Sequence, residues 1–239
     1  MTPLDRARLE KAAADCGFEL TPVLEPNGAL VLRSAMFHES VVISVVAGGQ
    51  FMLTSSRPVL LGAPEQLPVA VEGFGPLYEV LQKASATART LPNRVAEKFH
   101  AAVGLMPATT EVERLVRQRV GQSLFRGALL DFWRGRCCVT GLAVVELLRA
   151  SHIKPWSRCD SDEERLDVFN GLLLAPHVDA LFDGGWVSFD DTGALLVSSA
   201  LPSEAAAQVG LSSDWQVSGL LDSHKVYLAH HRAKELRRQ

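Results

Sequence analysis

The sequence predicts an α+β protein in which a small N-terminal α+β module and a C-terminal α+β domain are joined by a helical connector. Short β-like runs between two helical patterns occupy the first 85 residues, and a segment rich in Ala, Thr and Pro follows at 86–110. The remainder begins with a long amphipathic pattern and continues with a strand, a tight turn, a second strand and a helix start. We therefore predict domains at 1–85 and 111–239, with a connector at 86–110.

The composition is that of an ordinary globular protein. The chain has 239 residues, of which 47% are hydrophobic and 21% charged, and its formal charge is 24 − 27 = −3. These values exclude collagen-like, low-complexity and wholly disordered chains. No apolar stretch approaches the roughly 18–20 residues of a membrane span, and the N-terminus lacks a secretory signal pattern. Four cysteines without a CxxC pair indicate reduced thiols. We therefore expect a cytoplasmic protein with no membrane contact.

Local signals predict the elements of the N-terminal module. A helix is predicted at 3–16, because Pro3 lies near its start and Gly17 follows its end. A second helix is predicted at 73–84. The module contains no catalytic cluster. Four short β-like runs separated by turn signals lie between the two helices: 18–20, 29–33, 41–46 and 51–54.

A long helical pattern opens the C-terminal part. The connector contains one short predicted helix at 93–103, and Thr110 with Glu113 offers a capping box for the next helix. From residue 111 to residue 135 the apolar residues recur every three or four positions. This spacing predicts one or two amphipathic helices, which two internal glycines can bend or split.

Basic residues are concentrated in two segments. Residues 1–83 carry 6 basic and 9 acidic side chains, whereas residues 111–158 carry 9 basic and 4 acidic ones, a net charge of 9 − 4 = +5. Residues 224–239 add a second basic segment. A local excess of positive charge attracts polyanions, although arginine-rich helices are often only solvated surfaces. The nine basic residues of the first segment are Arg114, Arg117, Arg119, Arg126, Arg134, Arg136, Arg149, Lys154 and Arg158.

Candidate catalytic and metal-binding residues cluster between 149 and 189. His152 ends an extended run, and Asn170 begins a tight turn before an apolar strand. His177, Asp179 and Asp183 follow a proline that can open a short helix. The two aspartates are four residues apart, so they would share one helix face and could reach one cation.

This set of groups suits phosphodiester hydrolysis. A neutral histidine can remove a proton from water, an asparagine can hold the imidazole through its amide carbonyl, and carboxylates can hold a Mg²⁺-type ion. The spacing alone leaves simpler interpretations open. His152 could be a buried structural histidine, Asn170 a turn residue, and Asp179 and Asp183 a helix cap and a surface residue.

Several motifs occur in a characteristic order in this region. RVGQ at 119–122 and RCCVTG at 136–141 precede RASHIKPW at 149–156, and NGLLL at 170–174 precedes DALFDGGWVSF at 179–189. The order closely resembles the HNH endonucleases, which are ββα-metal nucleases, and in particular a bacterial branch found in restriction and phage defence. The resemblance covers residues 111–193 and leaves out the first hundred. It implies a C-terminal ββα-metal (HNH) nuclease domain.

The resemblance assigns roles to single positions. His152 matches the general base, and Asn170 matches the residue that orients it. Asp179 and Asp183 match the metal-side positions, and His177 is a further candidate ligand. Such an oxygen-rich site favours Mg²⁺ or Mn²⁺ over Zn²⁺. Ser151 departs from the pattern, because many members have a metal-binding Asp or His immediately before the base.

The candidate DNA contacts are basic residues, most of which flank the predicted base in the sequence. They are Arg149, Lys154, Arg158 and Arg126. His230 and His231, in the basic C-terminal segment, are predicted to lie on the surface of a helix.

We expect a metal-dependent endonuclease that nicks or cuts phage or foreign DNA in restriction or anti-phage defence. The N-terminal module would read a DNA feature or dock a co-encoded defence protein, and a homodimer would allow both strands to be cut. The rival hypothesis is a non-catalytic DNA-binding or assembly subunit with a degenerate HNH fold, which Ser151 favours. A nuclease that acts on RNA is a further alternative.

Overall fold

The computed structural model describes residues 2–46, 49–62, 68–104 and 110–237. Its contacts divide the chain into two compact units, Met1–Arg89 and Thr90–Gln239. Each unit contains both helices and strands, so the protein is of the α+β class. The predicted connector falls across the division, and its residues 105–109 lie outside the described residues. The functional domain assignment stays a prediction.

The first unit is a five-stranded antiparallel sheet that one helix precedes and another follows along the chain. Each strand pairs with the next one along the chain, in the order β1-β2-β3-β4-β5. The capping box of Thr2 and Asp5 begins the first helix, and Gly17, at φ +91°, follows its end. The elements are α1 (Pro3–Asp15), β1 (Leu20–Leu24), β2 (Leu30–Arg33), β3 (Val41–Val46), β4 (Gln50–Ser55), β5 (Val69–Glu72) and α2 (Phe74–Thr90).

Both edge strands differ from the sequence prediction. β1 was predicted at 18–20 but lies at Leu20–Leu24, and a register irregularity between Leu20 and Val23 accommodates the proline between them. Proline has no N–H to donate, so it is tolerated at such an edge. β5 was not predicted, and its pairing with β4 defines it.

One hydrophobic core holds the first unit together. α1 contributes Leu9, and the sheet contributes Leu32, Ile43 and Leu53, all of which are buried. Leu81 of α2 joins the same cluster. The sheet therefore buries one face, in agreement with the alternating pattern of β2 and β3.

The second unit is built around a long helix. The predicted capping box of Thr110 and Glu113 is confirmed at the start of α4. α4 continues as a single helix for 22 residues, through both Gly121 and Gly127. The elements are α3 (Pro92–Val103), α4 (Glu111–Phe132), β6 (Arg149–His152), α5 (Asp162–Arg165), β7 (Gly171–Leu174), α6 (Pro176–Asp183), β8 (Val187–Phe189), β9 (Leu195–Val197), α7 (Ser203–Gln208) and α8 (Asp222–Lys234).

The hairpin of β6 and β7 packs closely against α4. The two strands pair antiparallel, with His152 opposite Gly171. A Cβ on Gly171 would lie 2.6 Å from Phe125 Cζ and 2.7 Å from Leu129 Cδ2. A larger residue would force Phe125 or Leu129 to shift, so the glycine allows the strand and the helix to approach closely. α6 follows β7 directly, and these elements position the candidate site.

Two further expectations can be compared with the structure. All four cysteines are free and buried, which agrees with the prediction of reduced thiols. None of the helices in the described ranges combines the length and the apolar character that a bilayer span requires.

Candidate active site

The hairpin and the following helix carry the residues singled out from the sequence. His152 is the last residue of β6, and Asn170 closes a single 3-10 turn immediately before β7. α6 begins at Pro176, and Asp179 and Asp183 lie one turn apart on it. The predicted order of strand, turn, strand and helix is therefore present.

The His152 ring is held by three groups. Its Nε2 lies 2.8 Å from the carbonyl oxygen of Arg165. The ring stacks on Phe125, with centroids 3.9 Å apart, and meets Trp156 edge-on at 5.5 Å. A carbonyl only accepts hydrogen bonds, so Nε2 carries the ring proton and donates it. In the neutral ring Nδ1 is then the basic nitrogen.

Burial decides the protonation of His152. Burial lowers the pKa of the imidazole from its ordinary value, while the Arg165 carbonyl and the charge of Asp183 act in the opposite direction. The lowering dominates, so the ring is neutral near pH 7. A neutral histidine with a fixed tautomer is the form that a general base requires.

Asn170 braces the loop between the two strands. It is fully buried, and its Oδ1 accepts a 2.7 Å hydrogen bond from the backbone N–H of Lys154. Its Nδ2 donates to the carbonyls of Lys154 and Glu164, each at 3.2 Å. The expectation that its amide carbonyl holds the imidazole is therefore wrong in its geometry. The carbonyl that is hydrogen-bonded to His152 belongs to Arg165. Arg165 follows Glu164, whose carbonyl Asn170 holds.

A second buried contact supports the same turn. Asp167 accepts hydrogen bonds from the N–H of Phe169 and from the hydroxyl of Tyr227 on α8, both at 2.8 Å. Burial raises the pKa of Asp167 to about 6, although both hydrogen bonds oppose the rise. Asp167 thereby caps the 3-10 turn that ends at Asn170. The sequence motifs gave no indication of this pair, because Asp167 and Tyr227 are 60 residues apart.

The two aspartates of α6 have different environments. Asp179 is half-buried, and burial raises the pKa of its carboxyl, an effect that the Ser151 hydroxyl opposes and the Asp183 charge adds to. Ser151 is 4% exposed, and within the described structure its Oγ makes no hydrogen bond of ordinary geometry. Asp183 is exposed. His177 is exposed too and lies against Trp215, with ring centroids 5.5 Å apart.

The expected three-residue metal site is not formed. Among the described residues, no three or more His, Cys, Asp or Glu side chains are grouped closely enough to hold a metal ion. The donors present nevertheless fit a hard cation in part. Two like-charged carboxylates influence each other beside the buried Ser151 hydroxyl. Mg²⁺ is commonly held by one or two carboxylates, with phosphate oxygens and water completing its ligands. Asp179 and Asp183 fit that arrangement, and His177 is not needed for it.

Three of the four candidate DNA contacts have internal partners. Arg126 donates to the carbonyls of Leu148 and Val145, at 2.7 and 2.8 Å. The fourth candidate, Arg149, is exposed and its charge lowers the pKa of Asp179. Arg149 is therefore the candidate whose geometry best suits a phosphate contact. The other internal pairs join Lys154 to Glu164 and Asp160, at 2.7 and 3.2 Å, and Arg158 to Glu235, at 3.2 Å.

The prediction that His231 lies on the surface is wrong. The side chain is 2% exposed, and its ring stacks on Phe182 at 3.9 Å. Nδ1 lies 3.0 Å from the Ser188 hydroxyl and Nε2 lies 3.2 Å from the Phe182 carbonyl. Burial lowers the pKa of His231 to about 4. His231 therefore joins α8 to α6 and β8 as a neutral core residue.

Comparison with known protein families identifies the same region. Residues 137–190 match a family model described as HNH endonuclease. No curated protein matches the chain. The matched residues include His152, Asn170, Asp179 and Asp183, and they span the hairpin and α6. The match supports the resemblance to the HNH endonucleases and indicates nuclease activity on nucleic acid.

Proposed function

We propose that the protein is a metal-dependent HNH endonuclease that hydrolyses DNA phosphodiester bonds. The geometry of His152 carries this proposal. Its Nε2 donates to the Arg165 carbonyl, its burial favours the neutral ring, and its Nδ1 is left as the basic atom. This arrangement lies inside the region that matches the endonuclease family.

The roles of the chain's own groups follow from their chemistry. Nδ1 of His152 accepts a proton from the attacking water, and the imidazolium that forms is stabilised by the Arg165 carbonyl and by the negative charge of Asp183. Asn170 positions the base through the loop. A cation such as Mg²⁺ or Mn²⁺, held by Asp179 and Asp183, would supply electrostatic stabilisation of the charge that develops on the phosphate.

The setting we propose is restriction or anti-phage defence in the cytoplasm, with phage or foreign DNA as the substrate. The N-terminal module would read a DNA feature or dock a co-encoded defence protein. One hydrolytic site cuts one strand at a time, so a monomer would nick DNA. A homodimer, or two successive events, would cut both strands.

Plasmid cleavage tests the proposal. We expect the wild type to convert supercoiled plasmid to nicked or linear DNA with Mg²⁺ or Mn²⁺ and not with EDTA. His152→Ala should lose this activity by at least about a hundredfold, as expected for removal of a general base. His38→Ala is the matched control, because His38 is an exposed histidine of the first unit. Full activity in His152→Ala would contradict the assignment of the base.

A non-catalytic DNA-binding or assembly subunit is the second candidate. Ser151 at a ligand position and the lack of a three-residue metal group among the described residues favour it. A Mn²⁺ titration separates the two functions. If the protein is an endonuclease, it should bind Mn²⁺, and Asp179→Ala and Asp183→Ala should weaken that binding. If it is a non-catalytic subunit, it should bind no Mn²⁺, or the two substitutions should leave the binding unchanged. The same cleavage assay with RNA tests the remaining alternative of an RNA substrate.

A further inference from the structure

A cavity of about 350 Å³ opens in the second unit between α3, α4 and the loop that follows β6. We call it the α3–α4 cavity. Its volume falls within the range of about 300–1,000 Å³ that is typical of small-ligand pockets. The catalytic assignment uses none of its charged side chains. Its lining residues are Phe99, Arg114, Arg117, Gln118, Trp156, Asp162 and Arg165.

Aromatic surfaces form one part of the α3–α4 cavity. A Cβ on Gly121 of α4 would lie 2.7 Å from the Trp156 ring and 3.4 Å from the Phe99 ring. The glycine therefore lets both rings lie directly against the helix. Trp156 keeps part of its surface exposed. Aromatic faces of this kind stack nucleic-acid bases without regard to sequence.

Positive charge forms another part of the cavity. Arg114 and Arg117 are three residues apart on α4, so they lie on the same side of the helix. Arg117 lies over the Phe99 ring, 5.7 Å from its centroid. Neither guanidinium forms an ion pair with any residue in the part of the chain that the structure describes.

The acid that lines the cavity does not offset these two charges. Asp162 accepts from Arg165 Nη1 at 3.0 Å. Arg165 also donates through Nε to the Trp156 carbonyl and through Nη2 to the Cys159 carbonyl, at 3.3 and 2.7 Å. Asp162 and Arg165 thus form an ion pair with each other in the lining of the cavity. The charge available to a ligand comes from Arg114 and Arg117.

We propose that the α3–α4 cavity binds one unpaired nucleotide of the DNA substrate. The base would stack on the exposed surface of Trp156, which the buried Phe99 ring backs, and its phosphate would lie against Arg114 and Arg117. The side-chain amide of Gln118 offers a donor and an acceptor to the base edge. An isolated anion would make no stacking contact with the aromatic surface, and an apolar ligand would leave the arginine charges unpaired.

The α3–α4 cavity lies next to the candidate base, so a nucleotide bound there would lie near the cleaved bond. Trp156 meets the His152 ring at 5.5 Å, and the carbonyl of Arg165 accepts from His152. The cavity therefore adjoins the candidate base through two shared residues. This inference rests on the proposed function and adds a substrate preference to it. The enzyme favours DNA with an unpaired nucleotide near the cleaved bond.

Fluorescence anisotropy of the full-length chain in EDTA measures this preference without cleavage. Three labelled DNAs of equal length are compared: a fully paired duplex, a duplex with one central mismatch, and a single strand. The mismatched duplex and the single strand should bind roughly tenfold tighter than the paired duplex, since stacking one base contributes about that much. The two unpaired forms distinguish a base extruded from a duplex from one supplied by a single strand.

Variants on one helix test the location. Arg114→Ala and Arg117→Ala should each weaken binding of the mismatched duplex and the single strand more than binding of the paired duplex. Arg119→Ala is the matched control, because Arg119 is exposed on the same helix and does not line the cavity. An iodinated uracil at the mismatch should cross-link on illumination to Trp156 of the wild type, which mass spectrometry would show without relying on the folding of any variant.

The outcomes separate this inference from the proposed function. Binding to all three DNAs without preference, or an Arg119→Ala loss equal to that of Arg117→Ala, would overturn the nucleotide site and leave the nuclease intact. Cross-links confined to other peptides would overturn it as well. A chain that binds no DNA of any kind would contradict both proposals.

Discussion

Ser151 marks the point where the candidate site differs from its expected pattern. Its buried hydroxyl lies beside the Asp179 carboxylate, whose pKa it lowers, and makes no hydrogen bond of ordinary geometry in the described structure. Ser151→Asp would place a second buried carboxylate there. We expect it to destabilise the metal-free protein by a few kcal/mol and to strengthen cation binding. Thermal unfolding should give a lower Tm in EDTA and a larger Mn²⁺-induced rise than the wild type.

Ser151→Asn is the control for that substitution, because asparagine has the size of aspartate without its charge. The larger Mn²⁺-induced rise should be absent from it. If Ser151→Asp responds to Mn²⁺ no more than Ser151→Asn does, a cation does not bind beside Asp179.

Asp167 predicts a pH dependence of stability. Its folded-state pKa of about 6 lies above the ordinary value of 3.8. A raised carboxyl pKa contributes stability that is fully present below the unfolded pKa and is lost as the pH rises through the folded one. The loss amounts to about 2–3 kcal/mol. Asp167→Asn removes the charge and keeps an acceptor for the Phe169 N–H.

Urea unfolding at about pH 4.5 and about pH 7.5 checks this expectation. The stability of Asp167→Asn relative to the wild type, measured as the difference in the free energy of unfolding, should increase at the higher pH. Asp214→Asn, at an exposed position, should show no such trend. A constant difference for Asp167→Asn would mean that the carboxyl does not titrate in this window.

Single residues show where sequence reasoning succeeded and where it failed. Spacing together with the resemblance to the HNH endonucleases selected His152, Asn170 and the two α6 aspartates, and the structure places all four on the hairpin, its loop and α6. The spacing of these residues in the sequence could not show which of their atoms form hydrogen bonds. Asn170 was expected to touch the imidazole, but it holds the loop backbone. Both the Arg165 carbonyl and the buried His231 depend on contacts between distant segments, which no local pattern encodes.

Among the secondary-structure elements, α4 and β7 are joined at a contact that a pair of glycine substitutions can probe. A Cβ on Gly171 would meet Phe125 and Leu129 at 2.6–2.8 Å. Gly171→Ala should therefore destabilise the protein by about 1–3 kcal/mol. It should also reduce cleavage, because Phe125 stacks on His152. Urea unfolding and plasmid cleavage measure the two effects.

Gly127→Ala provides the opposite expectation within the same helix. No atom lies within 4 Å of a Cβ placed there, and alanine favours a helix interior over glycine by about 1 kcal/mol. Gly127→Ala should therefore stabilise the protein and leave cleavage unchanged. Equal effects of the two substitutions would show that strand β7 and helix α4 are not in close contact.

Elements that begin or end at a clear capping, turn or proline signal were predictable. The capping box and the apolar spacing located α4, and the turn before β7 and the proline before α6 located the hairpin and its helix. The glycines left open whether α4 was one helix or two. Tertiary contacts settle this point, because Gly121 accommodates Trp156 and Phe99. Strand β5 was missed, since its pairing with β4 decides its conformation.

At the scale of the whole molecule, the net charge conceals segments of opposite sign. Residues 111–158 carry a net charge of 9 − 4 = +5, whereas residues 159–223 carry 1 basic and 12 acidic side chains, a net of 1 − 12 = −11. The first segment contains α4 and β6, and the second contains α6. DNA should therefore approach along α4 and β6. The acidic α6 can lie near a phosphate only with a cation between them, which agrees with a metal-dependent reaction.

The salt dependence of DNA binding tests this picture. Each phosphate that the protein neutralises contributes about 0.9 to the slope of log K against log salt. With Arg126, Lys154 and Arg158 excluded because of their internal pairs, six of the nine basic residues of this segment remain, and we expect a slope of roughly −5 if each neutralises one phosphate. Arg149→Ala should reduce its magnitude by about 1. Lys154→Ala should leave the slope unchanged and lower the Tm, because Lys154 holds Glu164 and Asp160. A reduced slope with an unchanged Tm in Lys154→Ala would instead make Lys154 a phosphate contact.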